Sequence, residues 1–332
     1  MQEVYILLVE RKNTLCKHVL LLITIIVSAT VLGSNCLTFA TTSDYTVSVN
    51  DKIIYTAGQT RTSACRQMRT MAAAQWSLEN TTTYTSTHNG TQRTLLPGSY
   101  TGLPYSQLDR EFTDLSAVQN MIDSGDIKGT DCSSSVCHAW RAAVGHTNPD
   151  DKFLRRTYIS DRKTPLYVVR AMLADALNTG STSTGSTNTG TYYVGDYMNK
   201  VGDYGVYTDY CSDAKTTSEI IRWLTSKGNY PSGQDLYGCI FAQIKPGDAI
   251  VTVTDSNTHT RMVLSVHIYT APDEAVLPDK SFITTIEQHG SYAKTHQNSD
   301  ITSSWRIKDF TFRQLVDSET PYLPVRLKSI DG

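Results

Sequence analysis

The chain has 332 residues, of which 39% are hydrophobic and 19% are charged, a composition that is typical of folded proteins and excludes disorder over most of its length. Thirty Lys and Arg residues stand against 32 Asp and Glu, which leaves no basic excess for the phosphates of a nucleic acid. Seven cysteines are too few for a small disulfide-stapled scaffold of this size. We therefore expect a globular enzyme or binding module with no nucleic-acid partner.

The N-terminal segment has the order of a secretory signal peptide. Three basic residues precede an apolar run from Val19 to Gly33, and small and polar residues follow as far as Ala40. The run is shorter than the ~20 residues that span a bilayer comfortably, so a retained anchor is the weaker alternative. We predict that residues 1–40 are removed. The mature protein is then expected to be secreted and without stable membrane insertion.

Five cysteines remain after this cleavage, and an odd number in an exported protein points to a leftover thiol. If four of them pair, we expect Cys132 to be the free one, with Cys211 bonded to Cys239 and Cys65 to Cys137. The alternative is that all five are buried and reduced.

The mature chain is predicted to be a polar extension at 41–60 followed by one domain at 61–332. Helices are expected first, and strands follow the turn Pro246-Gly247-Asp248, which is an α+β order. A Thr- and Asn-rich stretch at 79–98 and a Gly/Ser/Thr-rich insertion at 179–190 are predicted loops. The predicted helices are 62–76, 108–122, 129–145, 165–177 and 217–227, and the predicted strands are 249–254, 258–269, 281–289, 310–316 and 322–327.

Cys132 begins the most clearly predicted helix. An apolar stripe runs from Cys132 through Val136 and Trp140, and Asp131 or Thr130 can cap the first free amide groups. The positive end of a helix favours thiolate over thiol, which is how a cysteine becomes a nucleophile. A structural cysteine at a helix start is the alternative.

His259 starts a predicted strand, on the face opposite to the apolar residues Thr260 and Met262. This position suits a base. His267 shares the face of His259 but lies about 26 Å away at ~3.3 Å per residue, so the two cannot bind one metal ion. We predict neither a metal nor a cofactor.

The next strand runs antiparallel and ends with Glu287 and His289. An asymmetric loop or a bulge would bring both beside His259. Glu287 could then hold the His259 ring and complete a Cys/His/acid set. The alternative is an exposed glutamate at the end of a strand.

Three motifs of the chain, taken in order, are similar to those of a known enzyme family. The segment from Gly129 to Ser134, the Pro-Gly-Asp turn at 246–248 and then His259 resemble the NlpC-type and CHAP-type cell-wall peptidases of the papain-like superfamily. The resemblance implies a papain-like fold, with Cys132 as nucleophile, His259 as general base and Glu287 as the residue that orients it.

Three positions depart from the family pattern. His289 stands where a CHAP-type enzyme has Asn, Ser134 stands where Gly is usual, and Thr260-Arg261-Met262 replaces the Gly or Val-Gly that commonly follows the histidine.

The leading hypothesis is a cysteine hydrolase that cleaves an amide bond of peptidoglycan, within the stem peptide or between sugar and peptide. Asp131 and Tyr105 are further candidates near the site, and Tyr105 either lines the pocket or serves packing. One alternative is a wall-binding module without turnover. Another is a papain-fold amidase or transferase that acts on a protein.

Overall fold

An eight-stranded, mostly antiparallel sheet is the centre of the fold. The computed structural model describes residues 45–158, 165–178, 181–182, 192–204, 216–227, 230, 235–290 and 303–331. The predicted signal peptide, most of the insertion at 179–190, and Cys211 lie outside the described residues.

Seven α-helices lie in the described part of the chain: α1 (Gln59–Ala73), α2 (Val118–Asp123), α3 (Cys132–Ala143), α4 (Val169–Ala176), α5 (Thr217–Lys227), α6 (Leu236–Cys239) and α7 (Phe312–Asp317). The strands are β1 (Thr46–Val49), β2 (Lys52–Thr56), β3 (Gln75–Leu78), β4 (Thr82–Thr85), β5 (Gln92–Leu95), β6 (Gly98–Thr101), β7 (Thr157–Tyr158), β8 (Ser181–Thr182), β9 (Tyr192–Tyr193), β10 (Met198–Lys200), β11 (Ala249–Val253), β12 (Thr258–Ile268), β13 (Phe282–Gln288), β14 (Trp305–Thr311) and β15 (Leu323–Leu327).

Strand β12 organises the main sheet. It pairs antiparallel with β11 and β13, and its last residues pair in parallel with β1. The sheet continues through β15 to β10 on one side, through β1 to β2 on another, and through β13 to β14. Helices α1 and α3 contact each other and β12. The predicted α+β class is confirmed.

Three predicted segments differ from the structure. Residues 79–98, expected to be a loop, contain β4 and β5, which pair with each other. Residues 310–316, expected to be a strand, begin α7, because Thr311 and Gln314 form a reciprocal capping box. Most of the helix predicted at 108–122 is absent, and α2 covers its last part. The predicted extension at 41–60, in which a short β-like stretch at 45–55 is expected, contains β1 and β2 at that place.

The turn at Pro246, Gly247 and Asp248 joins several elements. The Asp248 carboxylate is fully buried and accepts hydrogen bonds from Arg61 of α1 at 2.9 Å and from Arg326 of β15 at 2.7 Å. The indole N–H of Trp140 in α3 donates to the carbonyl of Gly247 at 2.8 Å. The turn therefore holds α1 and α3 against the start of β11.

Cys65 and Cys137 are buried free thiols, so the predicted disulfide between them is wrong. Their sulfur atoms turn to different neighbours: Cys65 Sγ lies 3.5 Å from the carbonyl oxygen of Val263, and Cys137 Sγ lies 3.9 Å from that of Tyr167. Both cysteines pack within the core.

Gly129 allows two segments that flank the start of α3 to lie together. A Cβ atom at residue 129 would sit 1.9 Å from the carbonyl oxygen of Pro104. That same oxygen accepts the amide of Thr130 at 3.1 Å, and Tyr105 and Thr130 form a parallel bridge. The segment before Cys132 is thereby held against the 103–105 strand-like segment.

We expect Gly129→Ala to lower the free energy of unfolding by about 2–4 kcal/mol, because backbone must move to admit the methyl group. Chemical denaturation measures the loss. Gly238→Ala is the matched control, since a Cβ there meets only ordinary contacts at 3.8 Å. A Gly129→Ala variant as stable as the control would contradict this account.

Candidate active site

The start of α3 is held by a reciprocal capping box. The Asp131 carboxylate accepts the amide of Ser134 at 2.7 Å, and the Ser134 hydroxyl accepts the amide of Asp131 at 2.8 Å. Ser134 thus has a local role, since its side chain and its amide both take part in the cap of α3. Arg110 adds an ion pair with the second oxygen of Asp131 at 3.1 Å. These contacts define where the Cys132 backbone lies.

Cys132 is 9% exposed and lies against the start of β12. Burial, and after it the charge of the Asp131 carboxylate, raise the pKa of its thiol to about 12. The backbone amides of Thr260 and Ser133 hydrogen-bond to the sulfur and oppose this shift, as does the charge of Arg110. The expectation of a helix-start thiolate is therefore wrong for the resting protein, because burial outweighs the helix end.

His259 and Glu287 meet, as predicted. The Nε2 atom of His259 bonds to Oε2 of Glu287, whose carboxylate is completely buried. Arg261 donates to the other oxygen of Glu287 at 2.7 Å. The alternative of an exposed strand-end glutamate is excluded, and the carboxylate lies between a histidine and an arginine.

The pairing of β12 with β13 explains this meeting. Met262 pairs with Ile286 and Val263 with Thr285, and the register then shifts so that Ser265 pairs with Thr284. This is the bulge that the unequal spacing required. It places Glu287 on the strand beside His259 and Arg261.

The pKa of His259 is lowered, chiefly by burial, while its bond to Glu287 opposes the shift. Its Nδ1 atom makes no hydrogen bond within the described residues and is the ring atom free to exchange a proton. Burial also lowers the pKa of His289 to about 4, and its ring centroid lies 4.7 Å from that of His259 in an edge-on arrangement. Burial thus favours the neutral form of both Cys132 and His259.

Tyr105 lies beside this group. It is 7% exposed, and its pKa is raised by burial and by the negative charge that Cys132 can carry. Its hydroxyl accepts a hydrogen bond from Gln107 at 2.8 Å. Tyr105 therefore packs in the wall of the site. Because its hydroxyl accepts from Gln107 and stays protonated, its own O–H remains available as a donor.

Sequence reasoning missed two site residues. Gln288 is completely buried: its amide nitrogen donates to the carbonyls of Leu103 and Pro104, and its oxygen accepts from Thr130 at 2.6 Å. Arg261 was noted as a departure from the family pattern but not as the partner of Glu287. A large polar residue in an otherwise largely apolar strand is the feature that marks both: Arg261 is the fourth residue of β12, and Gln288 is the last residue of β13.

The site combines a thiol at a helix start with an imidazole that a buried carboxylate holds, and both lie at the start of β12. The carboxylate of Glu287 stabilises the ring when it becomes charged. Within the described residues, no group of three or more His, Cys, Asp or Glu side chains could hold a metal ion.

The thiol should respond to the charge of Asp131. We expect Asp131→Asn to raise the rate of Cys132 alkylation at pH 8 by about 3–10-fold, because loss of the carboxylate lowers the thiol pKa while Asn keeps the cap. In the parent, the rate should still be rising between pH 8 and pH 10. Iodoacetamide labelling with mass mapping of each cysteine measures both.

Asp126→Asn, an exposed site, is the control and should leave the rate unchanged. A parent rate that levels off below pH 8 would contradict the raised thiol pKa.

Among the residues described by the structure, no helix is both long and apolar enough to cross a membrane. Comparison of the chain with protein-family models, with curated proteins and with solved structures finds no match in any of the three.

Proposed function

We propose that this chain is a papain-like cysteine hydrolase that cleaves an amide bond of bacterial peptidoglycan, and that it acts after export. One observation carries the proposal: the Cys132 thiol lies at a helix start against the amide of Thr260, and the residue before Thr260 in the sequence is His259, whose ring a buried glutamate holds. Nucleophile, base and orienting acid are the three parts of a covalent amidase.

The neutral resting pair determines how the first step proceeds. As Cys132 Sγ attacks the carbonyl carbon, its proton passes to Nδ1 of His259, and a tetrahedral oxyanion forms. The imidazolium then gives this proton to the leaving amine as the C–N bond breaks, which leaves a thioester. Water, deprotonated by His259, hydrolyses the thioester and restores the thiol.

Glu287 supports the charged form of His259 at the moment when it appears. Its ring contact selects the tautomer with the proton on Nε2, so that Nδ1 can accept. Arg261 donates to the other oxygen of the Glu287 carboxylate at 2.7 Å and so fixes the position of this carboxylate. Arg261 is a positioning residue in this scheme.

The oxyanion needs at least two donors. We assign the backbone N–H of Cys132 as one and the hydroxyl of Tyr105 as the other. The burial of Tyr105 beside Cys132 supports the second assignment.

The layout of the chain also supports a papain-like architecture. The nucleophile begins a helix that packs on the sheet, while the base and the acid come from the neighbouring strands β12 and β13. The order along the chain is nucleophile, base, acid, as in the enzymes that the sequence resembles.

We expect Cys132→Ser and His259→Ala each to lower the turnover of purified peptidoglycan by about 10³-fold or more, because nucleophile and base act as one unit. Glu287→Gln should retain a measurable fraction, about 1–10%, since it still contacts the ring. The assay is release of free amino groups without new reducing sugar ends.

Cys137→Ser, on the same helix, and the exposed His88→Ala are the matched controls, and both should keep turnover. Thermal unfolding of each variant separates loss of fold from loss of chemistry. Full turnover in Cys132→Ser would refute the thiol mechanism. If the parent binds the wall and releases nothing, the protein is a binding module; if it cleaves proteins instead, the substrate class is wrong.

A further inference from the structure

Arg110 joins the start of α3 to a buried part of the chain that follows this helix. Its side chain is 11% exposed. Its Nη1 atom donates to Oδ2 of Asp131 at 3.1 Å and to the hydroxyl of Ser133 at 3.3 Å. These residues come directly before and directly after Cys132, so one nitrogen of Arg110 contacts both sequence neighbours of the thiol residue.

The other terminal nitrogen of Arg110 is held by backbone. Its Nη2 atom donates to the carbonyl of Leu166 at 3.2 Å and to that of Tyr167 at 2.5 Å. Both residues are completely buried, and they precede α4, which contacts β11 and β12. The carboxylate of Glu111 accepts the amide of Leu166 at 3.2 Å and so fixes the same segment. The planar guanidinium thus holds the first turn of α3 with one arm and a buried segment with the other.

Two charged side chains act on the Cys132 thiol with opposite signs. The Asp131 carboxylate raises the pKa of the thiol, and the Arg110 guanidinium lowers it. Tyr105 and Tyr322 also interact with Cys132, but burial raises the pKa of both hydroxyls, so both are uncharged at neutral pH.

The strands beside α3 carry further ionisable groups. Burial lowers the pKa of His259, which favours its neutral form, and Arg261 is paired with Glu287 at 2.7 Å. Loss of Arg110 would therefore leave the carboxylate next to Cys132 without its ion-pair partner.

We infer that Arg110 is a positioning residue of the candidate site, which holds both neighbours of Cys132 and offsets the charge of Asp131 when the thiol loses its proton. The cap of α3 needs the Asp131 carboxylate, but a negative charge there opposes a second one on the adjacent sulfur. Arg110 resolves this conflict while the cap stays intact. The inference rests on the proposed function only in taking Cys132 as the nucleophile.

Alkylation of Cys132 tests this role without turnover. The rate with iodoacetamide is measured from pH 8 to pH 10 by mass mapping. Arg110→Gln should lower the rate by about 3–10-fold over this whole range, because the pH stays below the thiol pKa of about 12 and the rate follows the thiolate fraction. A merely structural role predicts the opposite sign, since a loosened α3 exposes the sulfur and raises the rate.

Arg110→Lys keeps the charge and should bring the rate to within about 2-fold of the parent, although it loses the fork. Arg313→Gln is the matched control, because this arginine pairs with Asp279, and it should leave the rate unchanged. A rate in Arg110→Gln that equals or exceeds that of the parent would overturn the inference, and so would an equally low rate in Arg110→Lys.

A second comparison covers the case in which Arg110→Gln does not fold. Asp131→Asn and the double variant Asp131→Asn/Arg110→Gln keep a capping side chain and leave no unpaired carboxylate beside Cys132. The double variant should react more slowly than Asp131→Asn, again by about 3–10-fold. Equal rates in this pair would also overturn the inference.

Hydrolysis of peptidoglycan by the parent is measured separately. A protein that shows these alkylation rates and cleaves nothing disproves the proposed function alone. An enzyme that cleaves, but whose Cys132 is indifferent to Arg110→Gln, disproves the role of Arg110 alone.

Discussion

The buried carboxylate of Asp248 is the contact on which the arrangement of this protein depends. It binds Arg61 and Arg326 from two distant parts of the chain and also accepts the amide of Lys245 at 2.8 Å. All its bonds are internal, so loss of any partner would leave a charge in the core. Because Trp140 bonds to the same turn, the helix that starts with Cys132 is held to the strand pair that carries His259.

A second buried carboxylate, Glu287, joins His259 and Arg261 in the candidate site, much as Asp248 joins Arg61 and Arg326 in the fold. Two potential cations share it, so its charge is balanced by Arg261 while His259 is neutral. Protonation of His259 then gives the Glu287 carboxylate a second positive neighbour, in a site where protein groups take the place of water. The Glu287 carboxylate, already in position, offsets the free-energy cost of charging the His259 ring, and this is what preorganisation of a site means.

Local patterns were sufficient for α3 and β12, because an apolar stripe with a cap and an alternating strand depend on neighbours in sequence. The hairpin of β4 and β5 was not predicted, because Thr and Asn are common both in loops and in exposed strands. The Thr311 and Gln314 spacing is that of a capping box, so the start of α7 could have been predicted from the sequence. The thiol pKa of Cys132 and the partner of Arg261 were beyond sequence reasoning, because burial and strand register are set by tertiary contacts.

The raised thiol pKa has a consequence for how Cys132 responds to oxidants. Oxidants and disulfides react with thiolates, and a buried cysteine that stays protonated offers them little to attack. A thiol that stays protonated and is only 9% exposed is shielded from peroxide and from stray disulfides. The same burial that makes Cys132 a poor free thiol thus makes it a durable one.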